Sequence, residues 1–300
     1  MISNRQLQYA LAVQKTRHFR KAAELCAVSQ AALSISIADL ERHLGFLIFE
    51  RDNKKVLMTH LGEIFLEKAA EVSLQFSELE KFSRTTKAPL TLPMKIGMIP
   101  TICPFLLPIL LPQLYQQYPD FELIVVEETS LVLIEKVKTG EIDVAILALP
   151  FDVQGLLSFP FWQENFYFVT HQERHKKKMT HISYEQFKDE TLLLLKEGHC
   201  FKDHVLQVCK MPVLETKYLL SSTSLHTLVE LVVCKMGATF LPEMALSSLL
   251  SRHKNLLAIP LKERGPHREW AFILRPTFPH FTEIELLKSF MVKCLSQHLS

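Results

Sequence analysis

Ser29-Gln30-Ala31-Ala32-Leu33-Ser34-Ile35-Ser36-Ile37-Ala38-Asp39-Leu40-Glu41-Arg42-His43-Leu44-Gly45 reads as one amphipathic helix with its own start and stop signals. Leu33, Ile37, Leu40 and Leu44 recur at steps of four, three and four, which gathers them on one helical face. Ser29 is a candidate N-cap, and Gly45 is a sensible stop because glycine accepts left-handed backbone. Upstream, Leu7, Ala10, Leu11, Val13 and Phe19 fit a helix and its exit over Asn4 to Phe19. Arg20–Cys26 gives a second short helix, with Ala27-Val28 as a tight connection. Downstream, Ile48-Phe49 and Val56-Leu57-Met58 flank the turn Asp52-Asn53-Lys54-Lys55, which predicts a two-stranded wing. A short helix, a turn and a longer helix with small polar residues at its start form the helix-turn-helix pattern, whose second helix enters the major groove.

On that reading Ser29, Gln30, Ser34 and Ser36 are the base-edge candidates, and Arg51, Lys54 and Lys55 reach phosphates or the minor groove. Residues 1–60 carry nine Lys/Arg against five Asp/Glu, a local excess that favours a phosphate backbone. A three-helix packing module with a solvated basic turn would share this periodicity. The residues themselves narrow the choice. Arg17-His18-Phe19-Arg20-Lys21-Ala22-Ala23-Glu24, Val28-Ser29-Gln30-Ala31-Ala32-Leu33-Ser34, Ile37, Leu40-Glu41, Leu44-Gly45 and Leu47-Ile48-Phe49-Glu50-Arg51 resemble the winged helix-turn-helix of LysR-type regulators. Ala31 stands where that family usually has proline, and Ile35-Ser36 replaces longer polar residues. The resemblance implies a double-stranded DNA operator and contact with RNA polymerase.

From Leu61 to Phe82, Phe65, Ala69, Val72, Phe76 and Leu79 alternate steps of four and three, a heptad seam. This predicts a dimerising linker helix over 61–86, after a DNA-binding domain over 1–60, with a hinge at 87–93. Strands and helices then alternate. Met94–Ile99, Phe121–Val126 and Ile142–Leu149 are strands, Cys103–Tyr118 and Leu131–Lys138 helices, Arg268–Leu274 a late strand and Glu283–Leu295 a closing helix. Repeated βαβ units predict parallel sheets. The expected fold is α/β, with an all-α winged helix-turn-helix, a linker helix and an effector domain at 94–300. The resemblance implies a periplasmic-binding-protein-like form for that domain. Its first subdomain would hold 94–164 with 267–300, and its second 165–266.

The chemistry concentrates at Gly198-His199-Cys200-Phe201-Lys202-Asp203-His204, with Cys209 beyond. Thiolate is the reactive form of cysteine, and nearby positive charge favours it. His199, Lys202 and Lys196 are the sequence-local sources. Peroxide converts such a thiol to a sulfenic acid, which a second thiol traps as a disulfide. If 200–209 is one helix, the two cysteines stand roughly 13 Å and about half a turn apart. A disulfide needs Cα atoms within about 7 Å, so the bond would require refolding. Ile99-Pro100-Thr101, Gly198-His199-Cys200 with Asp203, Cys209, Thr223-Ser224-Leu225 and Arg275-Pro276 resemble the hydrogen-peroxide-sensing branch of the LysR type. The resemblance makes Cys200 the sensing and Cys209 the resolving thiol. It makes Thr101 and Ser130 peroxide-orienting hydroxyls, and Arg268 a group that polarises peroxide. It also implies a homodimer or homotetramer. Cys103 is either core or a competing resolving thiol.

Other functions find little support. The chain has eight glycines, and no phosphate-binding loop, no metal-spaced His/Cys set and no nucleophile elbow, so no cofactor or metal is expected. The longest apolar stretches, such as Phe105–Leu111 and Leu192–Leu195, are far too short to span a membrane. Six cysteines without an export signal suggest a reducing cytoplasm. Two rival readings are a LysR-type regulator responding to a small organic effector in the cleft, and a thiol peroxidase using the same cysteines. The basic winged module argues against an enzyme.

Overall fold

Helix α1 (Asn4–Thr16) begins at a capping box in which Ser3 and Gln6 satisfy each other's backbone N–H groups. The His18 ring accepts the Arg20 N–H at 3.2 Å to start α2 (Phe19–Leu25). Ser29 Oγ accepts the Ala32 N–H at 3.2 Å at the head of α3 (Gln30–Leu44). Gly45 closes α3 in the left-handed region, with φ of 79°. β1 (Phe49–Asp52) pairs antiparallel with β2 (Lys55–Met58), and α4 (His60–Ser83) follows. The computed structural model describes residues 1–52, 55–83, 89–174, 179–196, 198, 200–210, 218–222 and 224–299, with backbone alone at 51, 52, 55, 81–83, 218–222 and 299. The chain divides into two compact units, Met1–Thr85 and Thr86–Ser300.

In the first unit Val13, Ala22, Leu33, Ile37, Leu40 and Ile48 form the centre of one core. Glu41 is buried beside it and accepts the N–H groups of Ile48 at 2.8 Å and Phe49 at 3.0 Å. That carboxylate fastens the start of the wing to α3. Glu41→Leu leaves two buried donors unpaired and is expected to lower the stability of this unit by about 2–4 kcal/mol, read from its thermal unfolding. Gly62 is obligatory for a different reason, since a Cβ there would lie 2.2 Å from the Ile48 carbonyl oxygen.

Helix α4 corrects part of the predicted seam. Ala69 is buried within its own unit, and Phe65 is half-buried, its ring edge-on to Phe46 at 6.3 Å. Leu66, between them, belongs to the core. Only Val72, Phe76 and Leu79 stay exposed, at 41%, 44% and 64%. The heptad pattern read own-domain packing and outward apolar surface as one stripe, because both use the same helical period.

The second unit runs β3 (Met94–Met98), α5 (Cys103–Gln117), β4 (Leu123–Glu127), α6 (Ser130–Lys138), β5 (Val144–Leu149), β6 (Leu157–Glu164), β7 (Phe166–His171), α7 (Tyr184–Phe187), β8 (Leu192–Leu195), α8 (Cys200–Val208), β9 (Tyr218–Ser222), α9 (Leu225–Val233), β10 (Thr239–Pro242), α10 (Glu243–Leu250), β11 (Leu256–Pro260), β12 (Arg268–Leu274) and α11 (Phe281–Leu299). The five-stranded sheet has the order β4-β3-β5-β12-β6, and a second sheet has the order β10-β7-β11.

The expectation of parallel sheets holds only in part. β3 pairs parallel with β4 and β5, and β8 parallel with β9. β12, however, enters antiparallel between β5 and β6, and β7 pairs antiparallel with both β10 and β11. A parallel neighbour needs a long crossover. β12 arrives from the second sheet with no crossover helix of its own, so it inserts the other way round. β6 was not predicted, because Ser158, Pro160 and a mixed burial pattern disguise it as loop.

Candidate redox site and DNA-reading helix

Cys200 is the first residue of α8 and is 3% exposed. It closes a crevice lined by Ile99, Pro100, Thr101, Thr129, Ser130, Cys200 and Phe201, which leaves no room for a water-sized sphere. The turn after β3 contributes Thr101 and the head of α6 contributes Ser130, so two βα junctions face the sulfur. Ser130 Oγ is buried and has no hydrogen-bond partner of ordinary geometry, yet its hydroxyl stands near enough to favour the Cys200 thiolate.

Burial is the largest influence on that thiol and pushes its pKa up. The Ser130 hydroxyl, the Arg268 charge and a backbone hydrogen bond with Ala148 oppose it, whereas Asp203 adds to the rise. A cation acting on the sulfur is Arg268, distant in sequence. Lys196 is exposed and Lys202 half-buried on α8. Asp203 is exposed, and its charge works against the thiolate. His199 and Thr223 lie outside the described residues.

Arg268 is completely enclosed. Its Nε donates to Glu164 Oε2 at 2.7 Å, its Nη1 to Thr101 Oγ1 at 2.9 Å and its Nη2 to the Thr101 carbonyl at 3.1 Å. The rings of Phe166, Phe201 and Trp270 lie 5.5–5.9 Å from its guanidinium carbon. Glu164 also accepts from Trp270 Nε1 at 3.1 Å and from the Met244 N–H at 2.8 Å. Since Arg268 occupies the Thr101 hydroxyl as an acceptor, the Thr101 proton is free to point elsewhere. Sequence reasoning missed Glu164. Its only signal is a lone acid in the apolar stretch Phe159-Pro160-Phe161-Trp162-Gln163-Glu164-Asn165-Phe166.

Helix α8 ends at Val208, and Cys209 just beyond it keeps the helical bond, its N–H donating to the Val205 carbonyl at 3.0 Å. The helical expectation for 200–209 thus holds, and the two thiols stand roughly 13 Å apart along the axis on opposite faces. Both are free. Burial, then the charge of Glu263, pushes Cys209 up to about 12. Cys103 is also pushed up to about 12, by burial and then by the charge of the Glu127 carboxylate. A raised thiol pKa means the folded state holds its proton where the unfolded chain has lost it. Stability is therefore expected to fall as pH rises from about 9 towards 12. At pH 7.5, iodoacetamide should modify exposed Cys234 first and leave Cys103 and Cys209 nearly untouched, as followed by peptide mass spectrometry.

On α3, the structure redistributes the base-edge candidates. Ser29 and Gln30 are exposed, but Ser34 and Ser36 are half-buried. Ala31, Ala32 and Ile35 share the outward face, Ile35 at 63% exposure. Lys54 and the side chains of Arg51 and Lys55 lie outside the described residues. The available outer face of this helix is thus more apolar than the serines suggested.

Residues 4–63 match the bacterial regulatory helix-turn-helix protein, lysR family, and residues 90–293 match the LysR substrate binding domain. The chain belongs to the LysR family of DNA-binding transcription regulators. Within that family it is similar to the HTH-type transcriptional regulator EstR of Acinetobacter baylyi, at 35% identity over 95% of this chain and 94% of the other. It is 32% identical to the hydrogen peroxide-inducible genes activator of Haemophilus influenzae, over 92% and 91%. A full-length cysteine-to-aspartate variant of OxyR from Pseudomonas aeruginosa superposes with a TM-score of 0.78 at 34% identity, covering 97% of this chain and 98% of that one. Among the described residues no single helix is long and apolar enough to cross a membrane.

Proposed function

We propose that this chain is a transcription regulator that senses hydrogen peroxide through Cys200 and answers by forming a Cys200–Cys209 disulfide. The observation that carries the proposal is the pairing of two free, buried thiols on opposite faces of one helix, the first of them facing Thr101, Ser130 and the Arg268 charge. Peroxide oxidises the Cys200 thiol to a sulfenic acid with release of water. Attack by Cys209 on that sulfur then forms the disulfide and releases a second water. Because the helix holds the thiols roughly 13 Å apart, the second step selects a different backbone arrangement of α8. The Thr101 and Ser130 hydroxyls orient the peroxide, and Arg268 acts through Thr101.

The reading extends to an operator in double-stranded DNA bound by α3 and the wing, a homodimer or homotetramer assembled partly through Val72, Phe76 and Leu79, and contact with RNA polymerase in the cytoplasm. The division of 94–300 into subdomains 94–164 with 267–300, and 165–266, belongs to the same proposal.

The test is alkylation mass spectrometry on the reduced chain before and after stoichiometric peroxide. A Cys200–Cys209 crosslink within seconds at micromolar peroxide supports the reading, and two thiols that stay free defeat it. Since burial raises the Cys200 pKa, its oxidation rate should climb with pH, up to about tenfold per unit while the thiol remains mostly protonated. A second reading has one observation in its favour. An open groove of about 520 Å³ is lined by Leu149, Pro150, Phe151, Val153 and Pro266 together with polar Gln163 and Glu269, a setting suited to a small organic effector. Unchanged promoter response to peroxide in a Cys200→Ser strain would favour it.

A further inference from the structure

His204 lies one helical turn after Cys200, so both side chains project from the same face of α8. The imidazole is 2% exposed, and its Nε2 lies 2.8 Å from the Pro150 carbonyl oxygen. A carbonyl can only accept, so Nε2 carries the proton. The other ring nitrogen, Nδ1, is buried with no hydrogen-bond partner. Burial, and then the Arg268 charge, work against protonating the ring, while the Pro150 carbonyl and Asp203 favour it. The ring therefore serves as a neutral donor at this position.

The partner of that donor is significant. β5 ends at Leu149, and the chain there meets α8 twice: the backbone of Ala148 favours the Cys200 thiolate, and the Pro150 carbonyl just beyond the strand accepts from His204. Oxidation of Cys200 alters the first contact directly, since the sulfur gains an oxygen. No chemistry at the sulfur touches the second. For Cys200 to cover the roughly 13 Å to Cys209, the first turns of α8 must unwind, and His204 must leave Pro150.

We propose that His204 is a latch on the reduced helix, a positioning residue whose bond to Pro150 sets how fast α8 opens after Cys200 is oxidised. It rests on the peroxide reading for its role in signalling, but the hold itself is a property of the reduced chain. His204 takes no part in the reaction with peroxide. It delays the following step, Cys200–SOH + Cys209–SH → Cys200–S–S–Cys209 + H₂O, and so filters brief oxidant pulses from sustained ones.

The test uses the full-length chain with His204→Leu, which removes the donor, and His204→Gln, whose amide restores one. Amide hydrogen exchange over residues 200–209 is measured on the reduced protein. Sulfenic acid formation is measured by dimedone trapping in a Cys209→Ser background, and crosslink formation by rapid quench in the chain with both cysteines. The leucine variant is expected to exchange and to crosslink about 5-fold faster, from the loss of one buried hydrogen bond, with dimedone trapping unchanged within two-fold. The glutamine variant should return both rates to wild type. If the leucine variant does not fold, His204→Asn, whose amide is too short for Pro150, carries the same comparison. Unchanged exchange, a glutamine variant that behaves like leucine, or a sulfenic acid rate that shifts in step with crosslinking overturns the latch. If the unmodified chain never forms the crosslink, the peroxide reading fails, and the exchange measurement alone decides for or against the latch.

Discussion

Replacing Glu164 with leucine is expected to destabilise the regulatory unit by about 3–5 kcal/mol, the usual effect of removing one partner from a buried ion pair. The Glu164 and Arg268 side chains are 2% and 0% exposed, so the surviving guanidinium would be a buried charge without its counter-ion. Leucine also leaves the Trp270 indole N–H and the Met244 N–H without their acceptor. For a unit of this size the midpoint of thermal unfolding should fall by roughly 10 °C. Glu164→Leu combined with Arg268→Met should recover much of that loss, because an apolar pair of similar volume needs no charge compensation. A single leucine variant that melts with the wild type would show that Arg268 is not dependent on this carboxylate. The pair positions Arg268 and adds little net stability over an apolar pair of the same volume, because desolvation of the two charges offsets their attraction.

Thr101→Val is expected to slow the oxidation of Cys200 by peroxide about 100-fold, the scale on which one aimed hydrogen-bond donor acts on a charge-developing transition state. The hydroxyl is 3% exposed by residue and already accepts from Arg268 Nη1, so its own proton remains to be given to a peroxide oxygen at the sulfur. Valine keeps the shape and removes the donor. It also strands one guanidinium N–H, which should lower stability by about 1–3 kcal/mol. Stopped-flow oxidation and thermal unfolding separate the two effects, and Thr101→Ser should restore the rate. Oxidation of the valine variant at the wild-type rate would remove Thr101 from the peroxide step and leave it a structural partner of Arg268.

Together these two variants probe one chain of contacts, Glu164 to Arg268 to Thr101, leading to Cys200. None of its links is local. Arg268 and Glu164 are 104 residues apart, and Arg268 and Thr101 are 167 apart. The sequence offers Lys196, Lys202 and His199 as local sources of activating charge, and the fold adds Arg268 from across the chain.

What the sequence determined by itself is the set of features whose physics is short-range. The caps Ser29 and Gly45, the four-three-four spacing of Leu33, Ile37, Leu40 and Leu44, and the pairing of Phe49–Asp52 with Lys55–Met58 all act within a few residues, and each can be read without knowing what lies opposite. The helical run from Cys200 to Cys209 belongs to the same group, and so does the separation of its two thiols. Tertiary structure alone decided which way β12 enters its sheet, which apolar residues of α4 face their own core, and that Cys200 is buried with a raised pKa. Strand direction depends on where the chain returns from, burial on every element that covers a residue, and a thiol's pKa on the balance of desolvation against distant charge. Those quantities sum over contacts between residues far apart in the chain, and no window along the sequence contains them.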